Sequence, residues 1–172
     1  MLFRSLPAHN REAAEPGEMV RGWVYGPMFE GYWLDPGRTA VCGRTPSNSQ
    51  KEVIEANAEV IEAMVAAVKP GATVGDICAI GDSHAADFGG DHSEMAEKWP
   101  IYGHGNGLFF ENPSISTKTE GADPSFVFQA GMVLGIEAFY AREGVGSAGF
   151  EQNIIVTEDG AEVLSNTPMR WW

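Results

Sequence analysis

The sequence is short of positive charge. Its 172 residues include 11 Lys and Arg side chains against 24 Asp and Glu, which gives a formal net charge of −13. A protein that follows the phosphate backbone of a nucleic acid needs a basic face, and an anionic membrane surface also attracts basic segments. No apolar run approaches the roughly 20 residues that a membrane-spanning helix needs. We therefore expect neither a nucleic acid nor a membrane as a partner.

Cysteine is also scarce. Cys42 and Cys78 are too few for a disulfide framework, and their spacing matches no zinc motif. The first residues contain no apolar stretch long enough for a secretory signal peptide. Hydrophobic residues still make up 44% of the chain, a composition typical of globular proteins. These features predict a globular, cytoplasmic protein.

Two helices are predicted in the middle of the chain. Apolar residues recur on one side of the segment 50–69, which follows a capping box at Ser49-Gln-Lys-Glu52. A second helix is expected over 74–88, capped by Thr73. Residues 91–99 are expected to form a short third helix or a turn.

Strands are predicted on both sides of these helices, over 20–40 and 130–165, where β-branched and aromatic residues are frequent. Glu158-Asp159-Gly160 is a typical hairpin turn between two of them. The order of strands, helices and strands predicts an α+β fold. We expect a curved, mainly antiparallel sheet with the helices packed on one face.

Four segments each carry one metal-ligating residue in an unusual setting: Asp35 in GYWLDPGRT, His104 in YGHGNGLFFENP, Glu137 in GIEAFY and Glu151 in GFEQNIIVTEDG. A carboxylate inside an apolar strand is costly to bury without a partner or a metal. Together the four would form an oxygen-rich site suited to Mn, Fe, Co or Zn. The same pattern also fits solvated glutamates at strand ends and an ordinary structural histidine, so the residues by themselves leave both interpretations open.

The same segments resemble, in their order along the chain, the pita-bread metallopeptidase superfamily of methionine aminopeptidase, aminopeptidase P, prolidase and creatinase. The similar pieces are GYWLDPGRT, VKPGATVGDI, GHGNGL followed by ENP, FQAGMVLGIEAF and GFEQNIIVTEDGAEVLSNTP. The later pieces are more similar to the prolidase and creatinase branch. The resemblance implies a partial pita-bread fold over 19–172, lacking the usual N-terminal half, after an N-terminal arm at 1–18.

The resemblance also implies roles for these residues. Asp35, His104, Glu137 and Glu151 correspond to metal ligands of the family, and Glu151 to the glutamate that bridges two ions. The implied cofactor is a divalent ion such as Mn, Co, Fe or Zn, which activates water and polarises the bond to be cleaved. His104 would then belong to the catalytic centre as well.

Three departures from the family pattern bear on activity. Val24 or Tyr25 stands where the family has a first aspartate, Glu111 where its peptidases have a second histidine, and Ala138 where a proline is usual. Without the bridging aspartate, two adjacent cations would repel each other uncompensated. We therefore expect a single weakly bound ion or none, and low Xaa-Pro dipeptidase activity. Glu111 is expected either to support a metal ligand or to handle protons.

The resemblance favours an enzyme that hydrolyses a small C–N bond, such as that of an Xaa-Pro peptide. Phe109 and Phe110 are then candidates for the wall of the substrate pocket. The alternatives are a creatinase-like, ectoine-hydrolase-like or dimethylsulfoniopropionate-lyase-like enzyme, or a non-catalytic binding module. The expected partners are a small peptide or small-molecule substrate and further copies of the chain. Trp171-Trp172 could cover an interface between copies or form the rim of a pocket, since a pair of exposed Trp residues is uncommon on a monomer.

Overall fold

The computed structural model describes residues 13–89 and 101–171. The predicted segment at 91–99, Trp172 and most of the predicted N-terminal arm lie outside these ranges. The described elements, in chain order, are β1 (Met19–Trp23), β2 (Gly26–Phe29), β3 (Tyr32–Leu34), β4 (Gly37–Val41), α1 (Asn48–Ala67), α2 (Val74–Phe88), β5 (Gly103–Asn106), β6 (Phe110–Ser114), β7 (Val133–Arg142), β8 (Gly146–Val156) and β9 (Ala161–Val163).

Seven strands form one sheet in the order β1-β4-β8-β7-β5-β6, with β9 paired to β8. The pairings of these strands are antiparallel. The predicted α+β fold with a mainly antiparallel sheet is therefore confirmed. The first strand region differs in detail, because β2 and β3 form a separate hairpin. Its two turn residues, Glu30 and Gly31, have positive φ angles of 49° and 88°, as in the tight turns that favour such hairpins.

The long hairpin of β7 and β8 gives the sheet two different faces. Side chains alternate between faces along a strand, so residues two apart point the same way. One set from each strand joins the core with α1 and α2: Leu134, Ile136, Ala138, Tyr140, Ala148, Phe150, Ile154 and Val156. The intervening positions of β7 and β8 include Glu137 and Glu151 and therefore project to the opposite face.

Helix α1 begins two residues before the predicted position. Its N-cap is Ser47, whose hydroxyl accepts from the Gln50 N–H while the Gln50 side chain accepts from the Ser47 N–H. The predicted Ser49–Glu52 box was therefore wrong, because the sequence contains two overlapping boxes. The Ser47–Gln50 box forms because Gln50 is buried and its Nε2 donates to the carbonyl of Gly17.

Helix α2 agrees with the prediction, since Thr73 caps it and Asp76 completes the reciprocal pair of hydrogen bonds. The helices pack against each other, and α1 also packs on β7 and β8. No helix within 13–89 or 101–171 combines the length and apolar character needed to cross a membrane.

Candidate metal centre

The site lies on the sheet face turned away from the helices. Glu137 and Glu151 are direct partners across β7 and β8, so both side chains point to this face. Asp35 comes two residues before Gly37, the partner of Glu151 on β4. His104 pairs with Gly135 across β5 and β7. Four segments that are distant in sequence therefore meet through strand pairing.

Three of the predicted ligands present their donor atoms to one another. His104 Nε2 lies 3.2 Å from Asp35 Oδ2 and 3.7 Å from Glu151 Oε1. One donor atom from each residue fits in a group whose members lie within 4.8 Å of one another. Asp35 and Glu151 are 4% and 1% exposed, so the carboxylates are withdrawn from water. This geometry can hold a divalent cation.

The imidazole of His104 is oriented to bind a cation. Its Nδ1 lies 3.0 Å from the carbonyl of Gly105, and since a carbonyl accepts, Nδ1 carries the hydrogen. In the neutral ring this leaves the Nε2 lone pair directed towards the carboxylates, the arrangement that metal-binding histidines adopt. The Phe110 ring packs edge-on against the imidazole at 4.7 Å between centroids.

Two asparagines hold Asp35, and both were missed by the sequence analysis. Asn106 Nδ2 and Asn153 Nδ2 donate to Asp35 Oδ1 at 2.9 and 3.1 Å, while the Asp35 N–H donates to Asn153 Oδ1 at 2.7 Å. The available signal was their spacing. Each lies two residues after a predicted ligand, His104 or Glu151, and so on the same face of its strand.

Electrostatics favour a cation at this place. Burial and the nearby charges of Glu137 and Asp35 raise the pKa of Glu151 well above its ordinary value. Burial would also raise the pKa of Asp35, but hydrogen bonds with His104, Glu151 and Asn106 hold it below its usual range. Burial tends to lower the pKa of His104, yet Asp35 and Glu137 raise it overall. Crowded carboxylates of this kind are stabilised by positive charge, so the residues fit a divalent ion.

The other predicted residues take different positions. Glu137 is 3% exposed and lies beside the group of three. The backbone of Glu111 pairs with Gly105 across β5 and β6, but its side chain lies outside the described part of the structure. Phe109 is 50% exposed, and its ring packs at 5.0 Å from that of Trp33.

The two residues predicted to replace the family's first aspartate are exposed. Val24 and Tyr25 are 67% and 49% exposed, and the Tyr25 ring lies 6.4 Å from that of Phe110. The carboxylate of Glu151 instead accepts a hydrogen bond from the Trp23 indole at 2.8 Å. No local sequence pattern indicated this contact, which joins residues 128 positions apart.

Arg38 fixes the backbone beside the site. Its guanidinium donates to the carbonyls of Gly37, Glu151 and Thr167 and to Gln152 Oε1. All of its N–H donors are used in this way. Arg38 thereby joins β4, β8 and the segment that follows β9.

Replacing Arg38 by Ala is expected to reduce the free energy of unfolding by about 2–3 kcal/mol, because charged hydrogen bonds are lost and carbonyls lose their donors. Urea unfolding of Arg38→Ala measures this change. The matched control is Lys69→Ala, which removes an exposed cation. Equal stabilities of the two variants would contradict the structural role of Arg38.

Comparison with known proteins identifies a family. Residues 7–158 match the model of metallopeptidase family M24. An Xaa-Pro dipeptidase from Lactobacillus helveticus is 32% identical over 89% of this chain and 39% of its own length. Methionine aminopeptidase A from a Synechocystis strain is 29% identical, over 96% of this chain and 69% of its own.

Solved structures of a prolidase and a dipeptidase are also similar to this chain. The prolidase from Pyrococcus horikoshii OT3 superposes with a TM-score of 0.76 at 27% identity, over 91% of this chain and 42% of its own. Dipeptidase PepE from Mycobacterium ulcerans also gives 0.76, at 30% identity, over 91% of this chain and 40% of its own. The present chain thus spans about two fifths of the length of these dipeptidases.

Proposed function

The chain belongs to metallopeptidase family M24, and we propose that it hydrolyses a small C–N bond, that of an Xaa-Pro dipeptide or a related short peptide, with one divalent metal ion. The observation that carries this proposal is the buried group of Asp35 Oδ2, His104 Nε2 and Glu151 Oε1. Relatives named as Xaa-Pro dipeptidase and methionine aminopeptidase support a peptide as the substrate.

Metallopeptidases of this family use divalent metals, and the donor set here suits Mn, Co, Fe or Zn. Asp35, His104 and Glu151 would hold the ion, and the Glu137 carboxylate would complete the site from the neighbouring strand. When bound, such an ion polarises a carbonyl and lowers the pKa of water. We propose one ion per chain because Val24 and Tyr25 supply no second bridging carboxylate.

The remaining roles belong to side chains around this group. His104 keeps its Nε2 directed at the carboxylates through the hydrogen bond of Nδ1 to Gly105. Phe109 and Phe110 would contact the apolar part of the substrate, since Phe110 touches the imidazole and Phe109 is half exposed beside it. Glu111 stays a candidate for proton transfer on the strand that leads away from these rings.

The similar proteins from Synechocystis, Lactobacillus helveticus and Mycobacterium ulcerans are all named as peptidases, which gives the non-peptidase functions no support. A creatinase-like, ectoine-hydrolase-like or lyase-like reaction and a purely binding role are therefore not favoured. We further propose that the chain works as a homo-oligomer in the cytoplasm. Support for the oligomer is the exposure of several aromatic side chains, Tyr25, Tyr32, Phe109 and Trp171.

The proposed function predicts metal-dependent cleavage of Xaa-Pro peptides. The 172-residue chain, stripped of metal by a chelator, is expected to be inactive and to regain activity on titration with Mn²⁺ or Co²⁺. Isothermal titration calorimetry should give one weakly bound ion per chain. Turnover is expected to be slow, because no histidine stands at position 111 to stabilise developing negative charge.

Xaa-Ala peptides of the same length serve as the matched substrate control. Cleavage of Xaa-Pro that survives metal removal would contradict a metallopeptidase. Metal binding without cleavage of either peptide would leave the metal centre intact and exclude the proposed substrate class.

A further inference from the structure

A hydrogen bond from Trp23 gives the two carboxylate oxygens of Glu151 different surroundings. Its indole Nε1–H donates to Oε2 at 2.8 Å. The other oxygen, Oε1, lies 3.7 Å from His104 Nε2 and 3.4 Å from Asn153 Nδ2. Oε1 therefore faces the other proposed ligands, while Oε2 faces the indole.

The indole reaches Glu151 because glycines leave room for its ring. Trp23 pairs with Gly37 across β1 and β4, and Gly37 pairs with Glu151 across β4 and β8. A Cβ atom on Gly37 would lie 2.3 Å from Trp23 Nε1, and one on Gly149 would lie 2.9 Å from Cη2 of the same ring. Phe139 stacks on the indole at 5.4 Å. Gly37, Gly149 and Phe139 thus form a socket around the ring, and its N–H points to the carboxylate of Glu151.

This contact restricts how Glu151 can bind a cation. The indole N–H is a donor only, and its hydrogen presents partial positive charge to Oε2. A carboxylate that bridged two ions would offer one oxygen to each, so a second cation at Oε2 would compete with the indole N–H for that oxygen. The exposed residues Val24 and Tyr25 offer no carboxylate to offset that cost.

We propose that Trp23 is a positioning residue that commits Glu151 Oε2 to the indole and so limits the metal centre to a single divalent ion, bound through Oε1. This inference rests on the proposed function, because it presupposes an ion at Asp35, His104 and Glu151. A hydrogen-bonded partner of a ligating carboxylate also fixes its orientation and strengthens metal binding. Trp23 would therefore raise the affinity for the first ion while excluding a second.

Nuclear magnetic resonance of the ¹⁵N-labelled full chain tests the contact directly. The Trp23 indole signal is assigned through its own backbone, so no variant is needed. We expect this N–H to be shifted downfield and to exchange more slowly with water than exposed indoles do. Both properties should persist when the protein is saturated with diamagnetic Zn²⁺.

Calorimetry and native mass spectrometry test the expected number of bound Mn²⁺ ions and the affinity for them. The wild-type chain should bind one Mn²⁺ ion. Trp23→Phe keeps a ring in the socket but removes the N–H, and its affinity for Mn²⁺ is expected to fall about 10-fold. The matched control, Trp171→Phe, makes the same chemical change at an exposed position and should leave the affinity unchanged.

The outcomes separate this inference from the proposed function. Two ions per wild-type chain, or an indole signal that takes on exposed character when Zn²⁺ binds, would overturn the role of Trp23 and leave a metallopeptidase standing. Absence of ion binding under all conditions would overturn the proposed function itself, and the single-ion assignment with it. One ion, a protected indole and weaker binding by Trp23→Phe are the expected results.

Discussion

Replacing His104 by Ala is expected to abolish metal binding and, with it, cleavage of Xaa-Pro peptides. The imidazole is the one nitrogen donor in the group and lies within 3.2 Å of Asp35 Oδ2 and 3.7 Å of Glu151 Oε1. Without it, only the two carboxylates of the group remain to bind an ion. Loss of an outer partner of a ligand already weakens binding about 10–100-fold, so loss of a ligand should cost at least the upper end of that range.

The control for this change is His84→Ala, since His84 lies half-buried on helix α2, on the other side of the sheet from the site. Calorimetric titration with Mn²⁺ and a coupled peptidase assay would be run on both variants. Unchanged Mn²⁺ affinity in His104→Ala would mean that the ion binds elsewhere. A parallel loss in His84→Ala would instead indicate general damage to the fold.

Much of the fold could be predicted because its signals are local. The apolar stripe of α1, the Thr73 cap of α2 and the alternating apolar residues of β8 each fall within one short segment. The start of α1 was misplaced because Ser47-Gln50 and Ser49-Glu52 are both good local boxes. A tertiary contact, the hydrogen bond from Gln50 to Gly17, decides between them.

The site was harder to predict, since strand register creates it. Trp23, Gly37, Glu151 and Glu137 form one row across β1, β4, β8 and β7. Nothing in the sequence around Trp23 indicates that its indole will donate to a carboxylate 128 positions away. Residue patterns together with the family resemblance indicated the candidate ligands, whereas the indole contact and the asparagines that hold Asp35 depend on the pairing of strands.

Replacing Gly135 by Ala is expected to disrupt metal binding while leaving the chain folded. Gly135 lies on β7 on the same face as Glu137 and pairs with His104 on β5. A Cβ atom there would lie 2.3 Å from Glu151 Oε1, 3.3 Å from Asn106 Nδ2 and 3.4 Å from Asp35 Oδ1. The carboxylate oxygen at the end of a side chain is the atom that must move, so the backbone can stay in place.

The displaced atom is the same Glu151 Oε1 that faces His104. Moving it would break the group of donor atoms, so the affinity of Gly135→Ala for Mn²⁺ should fall by about 10–100-fold. The strain is relieved largely by rotation of one side chain, and the free energy of unfolding should fall by about 1–3 kcal/mol. Gly22→Ala is the matched control, because Gly22 lies in strand β1 and a Cβ atom there meets nothing within 4 Å. Titration and urea unfolding of both variants separate binding from stability. An affinity of Gly135→Ala equal to that of Gly22→Ala would show that Oε1 of Glu151 is not a ligand, and would remove the geometric basis of the proposed centre.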